Sequence, residues 1–188
     1  MSGTTFQEIE HKFVVAADFD AAAFDAACMA MQPAAEKALA VRDTYYVLPD
    51  RADIVMRHRL DAEIQQLTLK TREADPEVRA EVNLALDNSS DQTAAIHTLL
   101  SHLGIAATYH IHKDIRVFEF PDCEVVRYRA THGDRVVHCV EFEAVGAPTI
   151  PAALAILARY EAALGFDPAT RASANLLDLL IPDNPISS

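Results

Sequence analysis

The sequence is poor in cysteine and lacks tryptophan altogether, with three Cys and no Trp in 188 residues. Cys28, Cys123 and Cys139 are far apart, odd in number and without a CxxC pair, so the sequence suggests neither a disulfide framework nor a thiolate zinc site. We expect three reduced thiols packed in the core of a cytoplasmic protein. The lack of tryptophan is slight evidence against a pocket that stacks an aromatic base.

Targeting and membrane-spanning signals are also missing. The start, MSGTTFQEIEH, has no basic segment followed by an apolar stretch. No apolar run reaches the roughly 18 residues of a transmembrane helix. The sequence therefore predicts a protein that is neither secreted nor membrane-spanning.

Positive charge is scarce: 16 Lys and Arg stand against 28 Asp and Glu, a formal net charge of −12. Nucleic acids and anionic membranes bind cationic surfaces, so neither is expected as a partner. With 188 residues, 51% of them hydrophobic, the chain has the size and composition of one domain, residues 1–188. The oligomeric state stays open, with a homodimer as one option.

Eight segments have the two-residue period of a β-strand. They are residues 5–15, 42–48, 53–60, 64–73, 78–86, 108–120, 123–131 and 134–145. Helices are expected at 18–32, at 89–104 and in two C-terminal segments that begin near Thr149 and Asp167. Short turns between the middle strands favour antiparallel pairing. The pattern predicts an α+β fold: a closed eight-stranded antiparallel β-barrel, or tunnel, with helices packed on its outside.

Charged residues share one face of these strands, because side chains two residues apart point to the same side. One such strand alone is ordinarily half-solvated, but here four helices must also pack on the sheet. We therefore expect the apolar faces to lie outward beneath the helices and the charged faces to line the barrel. The inward charges are then Glu8, Glu10, Lys12, Arg57, Arg59, Lys70, Arg72, Arg79, Glu81, Arg127, Arg129, Glu141 and Glu143.

This interior set has a clear chemical meaning. Buried charges are costly unless they pair or bind a ligand that completes the charge balance. Guanidinium groups suit phosphate oxygens, and clustered carboxylates suit a hard divalent cation. The sequence therefore predicts a positive interior with a metal–polyphosphate site.

A family resemblance rests on the same residues. EIEHK at 8–12 fits an ExExK signature, and MRHR, LTLKTR, RAEV and VEFE follow in order. ExExK alone is a weak pattern, but with RxR, KxR, RxE and ExE on successive strands it is specific. Over nearly its full length the chain resembles the CYTH superfamily, the triphosphate tunnel metalloenzymes. The resemblance implies a tunnel that holds a triphosphate, with Mg²⁺ or Mn²⁺ at one end.

The resemblance also implies roles for individual residues. Four glutamates on the first and last strands would hold the metal: Glu8, Glu10, Glu141 and Glu143. Phosphates would be bound by Lys12, Arg57, Arg59, Lys70, Arg72 and Arg79. Among these, Lys70 belongs to the cationic row that neutralises charge on the leaving phosphate. Glu81 and Glu143 are candidates for the base that positions the attacking water.

The sixth and seventh strands depart from the family pattern. Lys113 and Arg116 are three residues apart, so on a regular strand only one of them faces the tunnel. We prefer Arg116 as the inward, substrate-binding residue. On the seventh strand Arg127 and Arg129 stand where many members carry an inward acidic residue, and both are expected to bind substrate.

The leading hypothesis is a metal-dependent triphosphatase acting on inorganic triphosphate. A class IV adenylate cyclase and a thiamine triphosphatase are alternatives within the family. A polyphosphate- or nucleotide-binding module without catalysis is an alternative of another class, although paired glutamates would repel the ligand of a pure binder.

Overall fold

The computed structural model describes residues 5–47, 54–71, 78–105 and 107–182. The eight strands are β1 (Thr5–Val15), β2 (Ala35–Val47), β3 (Ile54–Leu60), β4 (Gln65–Thr71), β5 (Val78–Leu86), β6 (Ala107–Glu119), β7 (Cys123–His132) and β8 (Arg135–Ala144). The helices are α1 (Ala21–Ala30), α2 (Thr93–His102), α3 (Ile150–Ala163), a 3-10 turn (Pro168–Thr170) and α4 (Leu176–Leu180).

The strands form one curled antiparallel sheet in the order β1-β5-β4-β3-β2-β6-β7-β8, and β8 also pairs with β1. The first half of β1, Thr5 to Ile9, pairs with β5, and the second half, Glu10 to Val15, pairs with β8. The predicted α+β fold with eight antiparallel strands is confirmed.

Strand β2 is longer than the sequence pattern indicates, since it starts at Ala35 rather than at residue 42. The added segment is rich in alanine, which has a weak preference for strands. Its pairing partner decides the outcome: β6 runs alongside from Ala107 to Glu119, so that Ala35 lies opposite Glu119. Cross-strand hydrogen bonding therefore overrides local propensity.

The C-terminal helices also differ from the prediction. Thr149 caps α3 as expected, with its hydroxyl accepting from the Ala152 N–H. Asp167 begins only the short 3-10 turn, and the last helix starts after Asn175, whose side chain accepts from the Asp178 N–H. The second C-terminal helix is thus displaced toward the end of the chain.

The outer face of the sheet packs beneath helices α1 and α3, as expected. Phe13 on β1 and Phe142 on β8 contact each other edge to face, with ring centroids 5.7 Å apart. Phe24 of α1 and Leu157 of α3 belong to the same buried cluster. This packing directs the alternate, polar side chains of β1 and β8 to the inner face of the sheet.

A buried ionic contact holds α3 to the sheet and to the C-terminal segment. The carboxylate of Glu161 on α3 is fully buried; it lies 2.5 Å from His11 Nδ1 and accepts hydrogen bonds from the Arg171 guanidinium. The next residue, Ala172, donates its N–H to the carbonyl of Lys12 at 2.7 Å. These bonds hold Arg171 against α3 and Ala172 against β1, a few residues before α4 begins.

Two further expectations concern cysteines and membranes. Cys28, Cys123 and Cys139 are free and buried, as predicted, and burial raises the pKa of Cys28 to about 12. In the described part of the chain, no helix has the length and apolar character that a bilayer crossing requires.

Candidate active site

The inner face of the sheet surrounds a central cavity of about 550 Å³. All eight strands contribute residues to its lining, and the segment Ser173 to Asp178 supplies another part of it. Leu176 and Leu177 of α4 pack with the inward residues Tyr45 and Tyr128. The C-terminal helix therefore covers part of the cavity.

Lys12 on β1 lies between two carboxylates. Its Nζ is 3.1 Å from Glu141 Oε1 and 3.8 Å from Glu10 Oε1. The Tyr128 hydroxyl donates to the same Glu141 oxygen at 2.6 Å. Burial, and then the charge of Glu141, raise the pKa of Tyr128 well above its usual range, so this phenol stays protonated as a donor.

Four glutamates follow one another across neighbouring strands; we call them the acidic row. Glu10 lies opposite Glu143, Glu143 opposite Glu124, and Glu124 opposite Glu119. Side chains of directly opposed residues are roughly 4.5–5.5 Å apart at Cβ, and like charges there are destabilising. Burial raises the pKa of Glu124 and Glu119 raises it further, while Lys37 and Arg59 offset only part of the shift. Lys12 lies 3.8 Å from Glu10 and Lys37 lies 2.9 Å from Glu119, and a further cation beside Glu143 and Glu124 would reduce the repulsion that remains.

A hydrogen-bonded network occupies the wall made by β3, β4 and β5. Lys70 Nζ lies 2.7 Å from Glu81 Oε2, and Asn83 donates to the other Glu81 oxygen at 2.7 Å. Thr68 donates to Asn83 at 2.7 Å and accepts from Arg57 at 3.3 Å. Burial raises the pKa of Glu81, but Lys70, Arg57 and the Asn83 hydrogen bond outweigh it, and the net shift is downward.

Arg57 retains unused hydrogen-bonding capacity on this wall. Its Nε is buried and has no hydrogen-bond partner among the described residues, whereas its Nη2 reaches Thr68. A buried N–H without a partner is costly, and a charged one has a strong affinity for an anionic oxygen. Arg57 also lines the cavity, and it is less engaged by the protein than Lys70, which is paired with Glu81.

A buried acidic residue on β2 holds two of the inward cations. Asp43 accepts two hydrogen bonds from Arg59, at 2.8 and 2.9 Å, and lies 2.9 Å from Lys113 Nζ. Burial opposes ionisation of Asp43, but Lys113 and Arg59 outweigh it and hold its pKa far below the usual range. Much of the charge of these two cations is therefore neutralised within the protein.

The predicted site residues fall into three groups. The structure places Glu10, Lys12, Arg57, Arg59, Lys70, Glu81, Glu141 and Glu143 in the cavity lining. Arg72 lies outside the described residues, and for Glu8 and Arg79 only the backbone is described, with the two residues opposite each other across β1 and β5.

The third group consists of Arg116, Arg127 and Arg129, whose placement in the tunnel is wrong. Arg127 binds both oxygens of Asp25 on α1, at 2.8 and 2.7 Å. Arg116 pairs with Glu36 and lies 3.7 Å from Asp25, and the exposed Arg129 lies 3.8 Å from Asp114. The side chains of these three arginines therefore lie on the outer face of the sheet.

The physical reason lies in the alternation of β6 and β7. Both faces of these strands carry apolar residues, such as Val125 and Val126, so the periodicity does not fix which face is inward. Asp25 on α1 and Glu36 on β2 lie outside the sheet and pair with Arg127 and Arg116, and these pairs determine which face of β6 and β7 is outward. Lys113 therefore faces the cavity instead of Arg116. The same alternation places on the inner face residues that sequence reasoning missed: Glu119, Glu124, Tyr128 and, on β2, Asp43.

The charge balance of the cavity differs accordingly from the expectation. Nine acidic and six basic residues are among the described residues that line it. The prediction of a predominantly basic interior is therefore wrong for the described lining. An anionic ligand with several charges would need additional cations there.

Two opposed glutamates of the acidic row are suited to a hard divalent cation. No group of three or more His, Cys, Asp or Glu side chains is arranged to hold a metal ion among the residues that the structure describes. Mg²⁺, however, is ordinarily bound by one or two carboxylates together with phosphate oxygens and water, rather than by an all-protein cage. The opposed carboxylates of Glu10 and Glu143, both in the cavity lining, supply such a pair.

Comparison with known proteins identifies the family. The CYTH domain family matches residues 7–146, and the chain belongs to this family. No curated protein matches the sequence.

Solved structures resemble this fold over most of the chain. A protein of Pyrococcus horikoshii OT3 superimposes with a TM-score of 0.76 at 16% identity, covering 92% of this chain and 99% of its own. A conserved hypothetical protein from Pyrococcus furiosus gives 0.74 at 20% identity, with the same coverage of 92% and 99%. A Hippeastrum protein, described as a putative adenylyl cyclase with a dominant triphosphatase activity, gives 0.58 at 13% identity, covering 85% and 88%. At these identities the likeness establishes the fold.

Proposed function

We propose that the chain is a metal-dependent triphosphatase whose sheet closes as a tunnel around a triphosphate. The observation that carries the proposal is the meeting, in one cavity, of the opposed carboxylates Glu10 and Glu143 with the cationic wall of Arg57 and Lys70. Membership of the CYTH family and the triphosphatase activity of the Hippeastrum protein support it. The pairing of β8 with β1 supports the closed form of the tunnel.

Arg57 is the principal phosphate ligand in this proposal, because it lines the cavity and, among the described residues, its guanidinium donates only to the Thr68 hydroxyl. Lys70 lies beside it and neutralises charge that develops on the leaving phosphate. Glu81 orients Lys70 through their 2.7 Å contact. Since the pKa of Glu81 is shifted downward, its carboxylate is ionised and a weak proton acceptor, which favours a positioning role over that of the base.

Mg²⁺ or Mn²⁺ would be held by Glu10 and Glu143, with Glu141 and Glu124 beside them. A divalent cation at this place supplies Lewis-acid polarisation of a phosphate oxygen and balances its charge. With Glu81 held by Lys70, Glu143 is the remaining candidate for the carboxylate that orients the attacking water, and Tyr128 keeps Glu141 in position. The excess of acidic residues in the lining makes the bound cation a condition for retaining a triphosphate.

A product analysis tests the proposal. The protein is incubated with tripolyphosphate, ATP or thiamine triphosphate, each with Mg²⁺ or Mn²⁺, and orthophosphate, pyrophosphate and cyclic AMP are measured. Orthophosphate with pyrophosphate from tripolyphosphate, lost on addition of EDTA, is the expected result. Cyclic AMP as the main product from ATP would identify a cyclase instead, and tight binding without turnover of any compound would identify a binding module.

A further inference from the structure

One oxygen of the Glu141 carboxylate is fully engaged by the protein. The Tyr128 hydroxyl donates to Glu141 Oε1 at 2.6 Å, and Lys12 Nζ lies 3.1 Å from the same oxygen. A carboxylate has about two acceptor sites on each oxygen, so these two donors fill the sites of Oε1. A cation in the cavity can therefore reach Glu141 through one oxygen, Oε2.

The reach of Tyr128 follows from the register of two strands. Tyr128 lies opposite Cys139 across β7 and β8, and Glu141 is two residues farther along the same face of β8. Side chains in such diagonal positions are roughly 7–8 Å apart, which an aromatic side chain can span. A phenylalanine at this position would keep the ring but would leave one acceptor site of Oε1 unfilled.

Neighbouring side chains hold the Tyr128 ring in place. The residue is only 2% exposed, and it packs in one apolar cluster with Leu176 of α4. The Lys113 ammonium lies over the ring, 5.2 Å from its centroid, and is itself 2.9 Å from Asp43. The phenol therefore has little freedom to turn away from Glu141.

Mg²⁺ and Ca²⁺ differ in how they use a carboxylate. Ca²⁺ takes roughly six to eight oxygen ligands and often binds both oxygens of one carboxylate. Mg²⁺ demands octahedral geometry and usually keeps several water ligands. A carboxylate that offers one oxygen therefore suits Mg²⁺ better than Ca²⁺.

We propose that Tyr128 is a positioning residue that favours Mg²⁺ over Ca²⁺, because its hydroxyl confines Glu141 to binding a cation through one oxygen. This inference rests on the proposed function and specifies the metal selectivity of that site. Tyr128 does not contact the cation and acts through Glu141.

Metal binding by Tyr128→Phe tests the inference without turnover. Wild type and variant are titrated with Mn²⁺ in the absence of triphosphate, and the electron paramagnetic resonance signal of free Mn²⁺ reports binding. Mg²⁺ and Ca²⁺ are then added as competitors, which gives a Kd for each ion. Loss of an outer partner of a metal ligand changes affinity by ~10–100-fold, so the ratio of the Ca²⁺ Kd to the Mg²⁺ Kd should fall at least about tenfold. An unchanged ratio, or a parallel loss of affinity for both ions, overturns the inference.

Two further variants show whether the effect passes through Glu141. Tyr160→Phe on α3 removes a hydroxyl that donates to the Asp122 carboxylate at 3.0 Å, in the cluster on the outer face, and should leave the ratio unchanged. In a Glu141→Gln background, Tyr128→Phe should change the ratio no further, since residues that act together are not additive. A change of the same size in that background would assign the effect to packing of the ring and would overturn the inference.

The failures of the two proposals are distinguishable. If the wild type binds Mn²⁺ and Tyr128→Phe has the same selectivity, the role of Tyr128 is refuted and the proposed metal site stands. If the wild type binds no Mn²⁺, the metal site of the proposed function is refuted, and the inference is refuted with it.

Discussion

Lys12 and Glu141 are partners across β1 and β8, with Lys12 Nζ 3.1 Å from Glu141 Oε1. The Tyr128 hydroxyl donates to the same oxygen, and Lys12 also reaches Glu10. Glu141 therefore joins the phosphate-binding and metal-binding parts of the proposed site.

Replacing Glu141 with glutamine should abolish most turnover and spare binding. The amide removes a negative charge beside the proposed cation but preserves side-chain size, so kcat for tripolyphosphate should fall roughly 10²–10⁴-fold, with KM within about threefold. Steady-state kinetics with saturating Mg²⁺ measure both constants. Glu36→Gln, which alters an outward carboxylate bound to Arg116, is the control and should retain wild-type kcat. Wild-type kcat in the Glu141 variant would refute this assignment.

Arg57→Ala should mainly weaken substrate binding. Hydrogen bonds to charged groups contribute about 1.5–3 kcal/mol, so the KM for tripolyphosphate should rise roughly ten- to a hundredfold. The exposed, outward Arg129→Ala has the same change of charge and should leave KM unaltered. If both variants shift KM equally, the effect is one of net charge, and Arg57 does not contact the phosphates.

Asp43→Asn should destabilise the fold. Removing one partner of a buried ionic group costs about 3–5 kcal/mol, since Arg59 and Lys113 lose their counter-ion. Urea denaturation at pH 7 measures the loss, and Asp114→Asn, at an exposed carboxylate, is the control. A stability equal to that of the wild type would contradict the role of Asp43.

The same variant has a defined pH dependence. The pKa of Asp43 is depressed in the folded protein, so its contribution to stability is complete above the ordinary value of 3.8 and is lost as the pH falls through the lower folded value. The difference in unfolding free energy between wild type and Asp43→Asn should therefore shrink as the pH is lowered below about 4. A difference that stays constant or grows in acid would show that Asp43 is not ionised in the fold.

Glu161→Gln should loosen the C-terminal segment. The carboxylate is fully buried and bonded to both His11 and Arg171, so its loss should destabilise the protein by about 2–4 kcal/mol. Hydrogen exchange should be faster at Ala172 and along α4 than in the wild type, with β3 and β4 less affected. Unchanged exchange at Ala172 would show that the Glu161 contact does not hold α4 in place.

The inward face of five strands could be predicted because their charged and apolar residues separate cleanly. On β8, for example, Glu141 and Glu143 alternate with Val140, Phe142 and Ala144, and one face must pack under helices. On β6 and β7 the same reasoning failed. Arg116 and Arg127 are outward because Asp25 on α1 and Glu36 on β2 lie there, and no local pattern reveals a partner that distant along the chain.

The sequence by itself determined the eight strands, their antiparallel arrangement and the inward side of eight charged residues on β1, β3, β4, β5 and β8, because periodicity and charge are local properties of each strand. Only the tertiary structure decided the start of β2, the inward position of Lys113 and the opposition of Glu143 to both Glu10 and Glu124. These features depend on the register between strands and on partners that lie far apart in the chain, which side-chain alternation within one strand does not specify.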